Sequence, residues 1–462
     1  MSESEQRSHL GITLSALLCG LIALWGATGV LARNFRPWAI IATHAGVAVC
    51  LAATYGAAWR VAVICAGHSR RRMVFRAVAT TLLFVLSVLI LEIPACLGWL
   101  DYSHIWNHLT GDWSGPASSF MSDPDLMYRH LPNTTWSGQP RSDMAVYWNL
   151  PVRSPVPLTF TTDSRGFRNC RELDRADIVL LGDSYIEGSY VSDGETCAAI
   201  LGKSVGCEVA NLAQAGFGTL QELEVLERYA IPMQPRLIAW FFFEGNDLYN
   251  DQSFADWQSQ PHDHSPGKPG QWDWTWDGFL DRSFTKTAFL AIRRLLHPLV
   301  PNTVDTSGLF RDEDGQEYEL LFYSYGALEF GDYERDLFEK SKAGFRRGHD
   351  LCRQNGIKLV VFYIPMKFRV YGDLCEFPKG SLCREWKPWR LVDHFRAFCE
   401  AESIEFEDLT IPMRKAAAKG NLLYAPPDSH WNQQGHVFVA ELLKKCWDQL
   451  KAPPSKTQPT RE

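Results

Sequence analysis

The sequence predicts an α/β protein, a three-layer α/β/α domain around a parallel sheet, preceded by three transmembrane helices. Between positions 177 and 451, short apolar runs of strand length alternate with amphipathic stretches of helix length, the pattern of strand–helix–strand units. The stretch Leu237–Phe243, Leu-Ile-Ala-Trp-Phe-Phe-Phe, is apolar at every position, as expected of a strand covered by helices on both faces. The first hundred residues hold three long apolar runs.

Leu10–Leu31 has no charged side chain over 22 residues, long enough to span a bilayer as a helix. It is too long for a signal-peptide core and lacks a small-residue cleavage site. Trp38–Ala58 is interrupted only by His44, and Ala77–Leu91 continues past Glu92 and Pro94 to Trp99. Arg60, Arg70, Arg71, Arg72 and Arg76 lie between the second and third runs, against Arg33 and Arg36 between the first and second. The positive-inside rule then puts the Arg70–Arg72 loop in the cytoplasm and everything after Trp99 outside. Residues 1–100 are thus expected to be the anchor of a multi-pass membrane protein whose following domain is extracytoplasmic, periplasmic in a bacterium. Glu92, near the outer end of the third run, is a candidate intramembrane acid.

Asp101–Ala176 reads as an irregular lead-in, rich in Pro, Asn and Ser. Strands are expected over Asp177–Leu181, Cys207–Leu212, Leu237–Phe243, Lys358–Ile364 and Ile404–Leu409. Helices are expected over Glu195–Val205, Thr219–Ala230, Tyr333–Asn355 and Gln433–Leu450. The domain 177–451 carries a large insertion over 250–331, with Trp257, Trp272, Trp274 and Trp276 near its start, and a smaller one over Lys367–Val392. Insertions after strand ends commonly wall a binding site. The tail 452–462 is Pro- and charge-rich and expected to be disordered.

A net charge of −7 excludes a basic nucleic-acid surface. Twelve cysteines are present without a Cys-x-x-Cys pair, so a structural zinc site is not expected. Cys375 and Cys383 flank a short Pro/Gly loop where an extracytoplasmic compartment would permit a disulfide. His262-Asp263-His264 has the look of a metal cluster, but no partner ligands are evident and a solvated loop is expected there.

The chemistry sits at the ends of the expected strands. Leu180-Leu181-Gly182-Asp183-Ser184-Tyr185 places a serine hydroxyl at the carboxyl edge of the sheet, where open α/β folds bind ligands. Acyl transfer through serine also needs a base, a group that orients it and donors for the oxyanion. His430, just before the last helix, is the candidate base, and Asp428 the carboxylate that would fix its tautomer. The second strand runs into Asn211-Leu212-Ala213-Gln214-Ala215-Gly216-Phe217-Gly218, where Gly216 lets a backbone N–H approach closely, with Gly218 as the alternative. The third strand ends in Glu244-Gly245-Asn246-Asp247, and Asn246 offers a neutral side-chain donor. Asp183 is expected to cap a helix, and His436 to sit in the first turns of the closing helix. No metal or organic cofactor is expected.

With those residues the chain resembles the SGNH hydrolases, the GDSL-like lipases and acylhydrolases, over roughly 123–450. Gly182-Asp183-Ser184 looks like that family's nucleophile block, Gly216 its glycine block, Gly245-Asn246-Asp247 its asparagine block, and Asp428 with His430 its final block. The resemblance implies a flavodoxin-like domain with Ser184 as nucleophile, Gly216 and Asn246 as oxyanion donors beside the Ser184 N–H, and His430 as base. The lead-in, in Asp123-Pro124-Asp125-Leu126-Met127-Tyr128 and Asp163-Ser164-Arg165-Gly166-Phe167-Arg168, is similar to a membrane-anchored subgroup. In most of the family the Asp stands three residues before the His; here it stands two before. Asp428-Ser429-His430-Trp431 resembles instead the triad segment of SGNH-like proteins that O-acetylate polysaccharides such as alginate, as does Ile364-Pro365-Met366-Lys367. The resemblance implies an esterase acting on acylated small molecules, glycans or lipid esters, or a polysaccharide O-acetyltransferase working with membrane polysaccharide-modification partners. A non-catalytic polysaccharide-binding or assembly component is the alternative from a different class.

Overall fold

The computed structural model describes residues 87–97, 100–103, 106, 120–140, 142–148, 150, 157–259, 282–296, 305–325 and 330–451. The chain divides into two compact units, Met1–Asp112 with Trp272–Pro298, and Trp113–Gln271 with Leu299–Glu462.

In the larger unit the strands are, in chain order, β1 (Phe120–Asp123), β2 (Met127–His130), β3 (Thr135–Gly138), β4 (Leu158–Thr161), β5 (Ile178–Leu181), β6 (Val209–Asn211), β7 (Leu237–Phe243), β8 (Ser307–Arg311), β9 (Glu317–Leu321), β10 (Lys358–Ile364) and β11 (Glu405–Asp408). Five of them form a parallel sheet in the order β11-β10-β7-β5-β6. Taken by position in the chain this is 2-1-3-4-5, the flavodoxin-like order, and its direction reverses beside β5, where such folds open a crevice at the carboxyl edge.

The apolar runs explain the layers. Side chains alternate across a strand. Ile178, Leu180, Phe241, Phe243, Phe362 and Ile364 therefore pack into one core with Trp431, Val439 and Leu443 of the last segment. Val179, Leu181, Trp240, Phe242, Val361 and Tyr363 pack into the other with Phe338, Phe345 and Phe395. All seven residues of β7 are buried, each large apolar side chain contributing roughly 2 kcal/mol of transfer free energy. Helices Cys197–Val205 and Gln433–Lys451 pack against each other, and helices Thr219–Val225, Asp332–Gln354 and Leu391–Glu402 complete the layers.

The lead-in is more ordered than its composition suggests: β1–β2 and β3–β4 are antiparallel pairs. The large insertion contributes a third pair, β8–β9, and Trp257 lies on helix Asp247–Ser259, stacked on Phe254 at 5.4 Å. Trp272, Trp274, Trp276 and His262-Asp263-His264 lie outside the described residues, as does the tail 452–462. Cys375 and Cys383 are both free thiols, so the disulfide is not formed; Cys375 sits against the apolar core and Cys383 is buried within it.

The expected membrane helices require correction. Among the described residues no helix is long and apolar enough to cross a membrane, so neither the three-helix anchor nor a multi-pass location is supported. Leu10–Leu31, Trp38–Ala58 and most of Ala77–Leu91 lie outside the described residues. In the smaller unit, Glu92 accepts hydrogen bonds from the Phe284 and Thr285 N–H groups at 3.0 and 2.7 Å. It caps the amino end of helix Phe284–Leu296, satisfying donors that have no partner within that helix.

Candidate active site

β5 delivers Ser184 to the centre of the sheet edge. Gly182 makes the tight exit from the strand, since a Cβ there would lie 2.8 Å from Ile186 Cγ1. Asp183 caps the short helix Ser184–Glu187 by accepting the Tyr185 N–H at 2.9 Å. Ser184 is thereby held at the first helical position, 9% exposed. Its hydroxyl donates to His430 Nε2 at 2.7 Å, and His430 Nδ1 donates to Asp428 Oδ1 at 2.6 Å. Residues 246 positions apart thus form one hydrogen-bonded chain. The bond to Asp428 implies the tautomer with Nδ1 protonated and Nε2 free to accept.

The spacing of Asp428 two residues before His430 works because the carboxylate turns back on its own segment. Oδ1 accepts both the His430 ring N–H and the His430 backbone N–H, the latter at 2.9 Å. Its other oxygen accepts the Asp143 N–H at 2.8 Å. Burial alone would raise the Asp428 carboxyl, but the His430 charge and these bonds hold it below the usual range.

Asp143 is a residue that sequence reading missed. It opens a five-residue helix, Asp143–Tyr147, in the lead-in. Its carboxylate accepts the Ser429 N–H at 2.8 Å and the Ser429 hydroxyl, and approaches His430 Nδ1 to 3.9 Å. Burial and the Asp428 charge push its pKa up to about 6. Nothing marks it in sequence, because its partners are 285 and 286 positions away. Burial works against a charge on His430, yet Asp428, Asp143 and Asp183 together raise it to about 9. Asp143, Asp428 and His430 also bring their ligand atoms within 4.8 Å of one another; the hydrogen bonds just described already use most of those atoms.

Two further supports reach this loop. Tyr185, next to the nucleophile, donates its hydroxyl to Ser429 O at 2.7 Å. Lys367 donates to Ala425 O and Pro426 O, both at 2.9 Å. Burial lowers Lys367 to about 8, against the pull of Asp143 and Asp428.

Gly216 and Asn246 follow β6 and β7, the two neighbours of β5, so the nucleophile strand is flanked by both donor candidates. Gly216 has φ +78°, a conformation glycine adopts without steric cost, and a Cβ there would meet Tyr128 Oη at 2.5 Å. Its loop is clamped. Tyr128 of β2 donates to Ala215 O at 3.1 Å, and Glu187 Oε1 accepts the Ala215 N–H at 3.0 Å and pairs with His130 Nε2 at 2.7 Å. Burial pushes the Glu187 carboxyl up, but His130 and these donors bring it below its ordinary value. Arg168 braces the end of the same short helix through Glu187 O and Gly188 O, at 3.1 and 2.5 Å. Tyr128, His130 and Arg168 of the lead-in therefore brace the nucleophile helix and the Gly216 loop.

Asn246 stands before helix Asp247–Ser259, its Oδ1 buried without a hydrogen-bond partner. Gly245 is needed there because a Cβ would strike the Phe243 ring at 2.3 Å. His436 lies in the closing helix, where it accepts the Cys197 N–H at 3.2 Å, and burial lowers it to about 3.

This sheet order brings together a serine on the first strand's exit and a His–Asp pair before the last helix, the groups that serine-type acyl transfer requires. Residues 320–461 match the family model described as SGNH hydrolase-like domain, acetyltransferase AlgX; that span includes Asp428 and His430 but not Ser184. A probable alginate O-acetylase AlgJ of Pseudomonas putida is 26% identical over 110 residues, 24% of this chain and 27% of that protein. The chain thus matches about a quarter of that relative's length. A GDSL-like lipase from Bacteroides thetaiotaomicron shares 12% identity at a TM-score of 0.30, covering 59% of this chain and 87% of that one. A lipase/acylhydrolase from Enterococcus faecalis shares 14% identity at a TM-score of 0.30, covering 61% and 98%. Likenesses of that strength carry no weight beyond themselves. Residues 320–461 are thus similar to an SGNH hydrolase-like domain, and the chain shares similarity with an alginate O-acetylation protein. That supports an enzyme acting on ester bonds, as hydrolase or as acyltransferase.

Proposed function

We propose that this protein cleaves carboxylic esters, acetyl esters foremost, through an acyl-enzyme on Ser184. The observation that carries this is the unbroken chain from Ser184 Oγ through His430 to Asp428, at 2.7 and 2.6 Å. Ser184 Oγ attacks the ester carbonyl while its proton passes to His430 Nε2. The N–H groups of Gly216 and Ser184 and the amide of Asn246 hold the oxyanion. The tetrahedral adduct collapses, the ester C–O bond breaks, and His430 returns the proton to the leaving alcohol. Water then gives its proton to His430, attacks the acyl carbon and releases the acid, and His430 reprotonates Ser184.

A second reading differs only in the last step, with a glycan hydroxyl in place of water and a new ester as product. It is favoured by the similarity of residues 320–461 to an acetyltransferase domain and by the AlgJ relative. On the hydrolytic reading the substrate is an acylated polysaccharide or its fragments; on the transfer reading the glycan is the acceptor and a separate ester supplies the acyl group to Ser184.

The test is hydrolysis of an aryl acetate and labelling by an organophosphonate. Wild-type protein should do both, and Ser184→Ala neither. Undiminished esterase and transferase activity in Ser184→Ala would remove Ser184 as the nucleophile, and a wild-type protein without either activity would be a binding or assembly component. Adding an oligosaccharide to the aryl acetate separates the two readings, since an acetylated sugar forms only if the acyl group is transferred.

A further inference from the structure

We infer that Tyr147, Tyr323 and Tyr325, grouped beside the base loop, form a subsite on which a pyranose ring of the glycan stacks. The inference rests on the acyl-transfer reading above and adds to it how the sugar is held.

Tyr147 ends the short helix that Asp143 begins, and Tyr323 and Tyr325 follow β9. The ring centroids of Tyr147 and Tyr323 are 5.4 Å apart, and those of Tyr323 and Tyr325 are 4.9 Å apart. Most large aromatics in this domain are buried, yet Tyr147 is 63% and Tyr325 41% exposed. Grouped exposed aromatics next to a site mark a binding surface rather than leftover core. Tyr323 donates its hydroxyl to Asp143 O at 3.2 Å, which fixes the group to the base loop. Tyr323 and Tyr325 also line a small recess with the apolar Phe243, Met366 and Phe368 and with Tyr185 and Ser429, the neighbours of the nucleophile and the base.

Two features favour a sugar over an acyl chain. A pyranose offers an apolar C–H face to an aromatic ring, and hydroxyls around its edge that need donors and acceptors. Tyrosine supplies a flat face and a polar tip, and the Asp143 carboxylate, with 29% of its side chain exposed, adds an acceptor at the rim. The recess, with an internal volume of about 10 Å³, has no room for an acyl chain, whereas Tyr147 and Tyr325 are exposed to solvent beside it. A ring seated on the tyrosines stands next to the loop that carries His430, where a sugar hydroxyl must arrive or depart.

Binding can be read without turnover, so failure here is distinct from failure of the catalytic reading. The full chain carrying Ser184→Ala is titrated by calorimetry with xylotetraose as a neutral probe, a mannuronate tetrasaccharide as an acidic one and octanoate as an acyl probe. At least one tetrasaccharide should bind. Adding Tyr147→Ala and Tyr325→Ala should weaken it by about tenfold or more, while Tyr325→Phe, which keeps the ring face, should stay within roughly threefold. Unchanged circular dichroism of the alanine variants shows that the fold is kept. No sugar binding up to about 10 mM, binding unmoved by the alanine variants, or variants that weaken octanoate instead would each overturn the subsite.

Discussion

The two sides of the candidate site are built by different means. Ser184, Gly216 and Asn246 follow three adjacent parallel strands, so backbone ladders position them and the side chains behind them are apolar. Asp428, Ser429 and His430 lie on a loop closed by a single bridge, Tyr424 to Trp431. That loop is held by side chains sent from afar: Asp143, Tyr185 and Lys367. A ladder spreads its energy over many small bonds, whereas a charged brace concentrates it in a few. The strand side should therefore tolerate most single changes outside its glycine turns. The loop side should respond to pH and to individual substitutions.

The largest expected effect tests whether the two sides act as one unit. His430→Ala should lower kcat on an aryl acetate by about 10³- to 10⁴-fold, and Ser184→Ala/His430→Ala should be hardly worse than either alone. Multiplicative losses in the double variant would mean that the 2.7 Å contact is not a working pair.

Next is a place where the strand side borrows a charged brace. Glu187 holds the Ala215 N–H and His130 together in full burial. Glu187→Ala should cut kcat by roughly 10- to 100-fold with little change in KM, because it frees the loop that aims the Gly216 N–H. Melting temperature should fall as well, since His130 loses its buried partner. Glu187→Gln keeps an acceptor for Ala215 and should recover most of kcat. An equal loss in Glu187→Gln would show that charge, not loop placement, is what matters.

These two sides also differ in how far they could be read from sequence. The parallel sheet was legible because its central strands β5, β7 and β10 are apolar on both faces, and Leu237–Phe243 and Lys358–Ile364 have the bounds expected of them. Ser184, Gly216, Asn246, Asp428 and His430 were legible because each follows a strand or precedes a helix. The braces were not. Asp143, Glu187 and His130 act through partners 28 to 286 positions away, and no local pattern records such pairings. The lead-in seemed irregular because its strands are four residues long, too short for alternation to show. The apolar runs before residue 87 led to an expectation of membrane helices that no described helix supports.

Asp143 sharpens the comparison through pH. Neighbouring carboxylates raise His430 to about 9, and only the neutral imidazole can take the Ser184 proton. Thus kcat/KM should climb with pH to a midpoint near 9. A pKa raised on folding stabilises fully below the unfolded value of 6.5, and that contribution fades as pH rises through about 9. The protein should lose stability over the range where it gains activity. Asp143→Asn removes one of the raising charges but keeps an acceptor for Ser429. Its activity limb should move down by up to about one pH unit, making it faster than wild type near neutrality. A limb that stays in place would mean Asp143 supports the loop without acting on the charge.

The smallest effect belongs to Lys367, a loop-side brace that holds two carbonyls upstream of the triad residues. Its ammonium donates to Ala425 and Pro426, and burial has already lowered it to about 8. It therefore begins to lose its charge below the pH at which His430 becomes neutral. Lys367→Met keeps the apolar stem and removes both bonds, at a net cost of about 1–3 kcal/mol. Most of that cost should appear as stability. Activity should fall only by about two- to fivefold, since Tyr185 and Asp143 still hold Ser429. At pH 9 and above the gap between the variant and the wild type should narrow, because wild-type Lys367 is by then largely a neutral amine, a weaker donor than the ammonium. The measurement is the ratio of their kcat values across pH 6 to 10. A ratio that is flat, or that widens with pH, would show that the loop depends on this side chain for packing rather than for charge, and so resembles the strand side more than its other braces suggest.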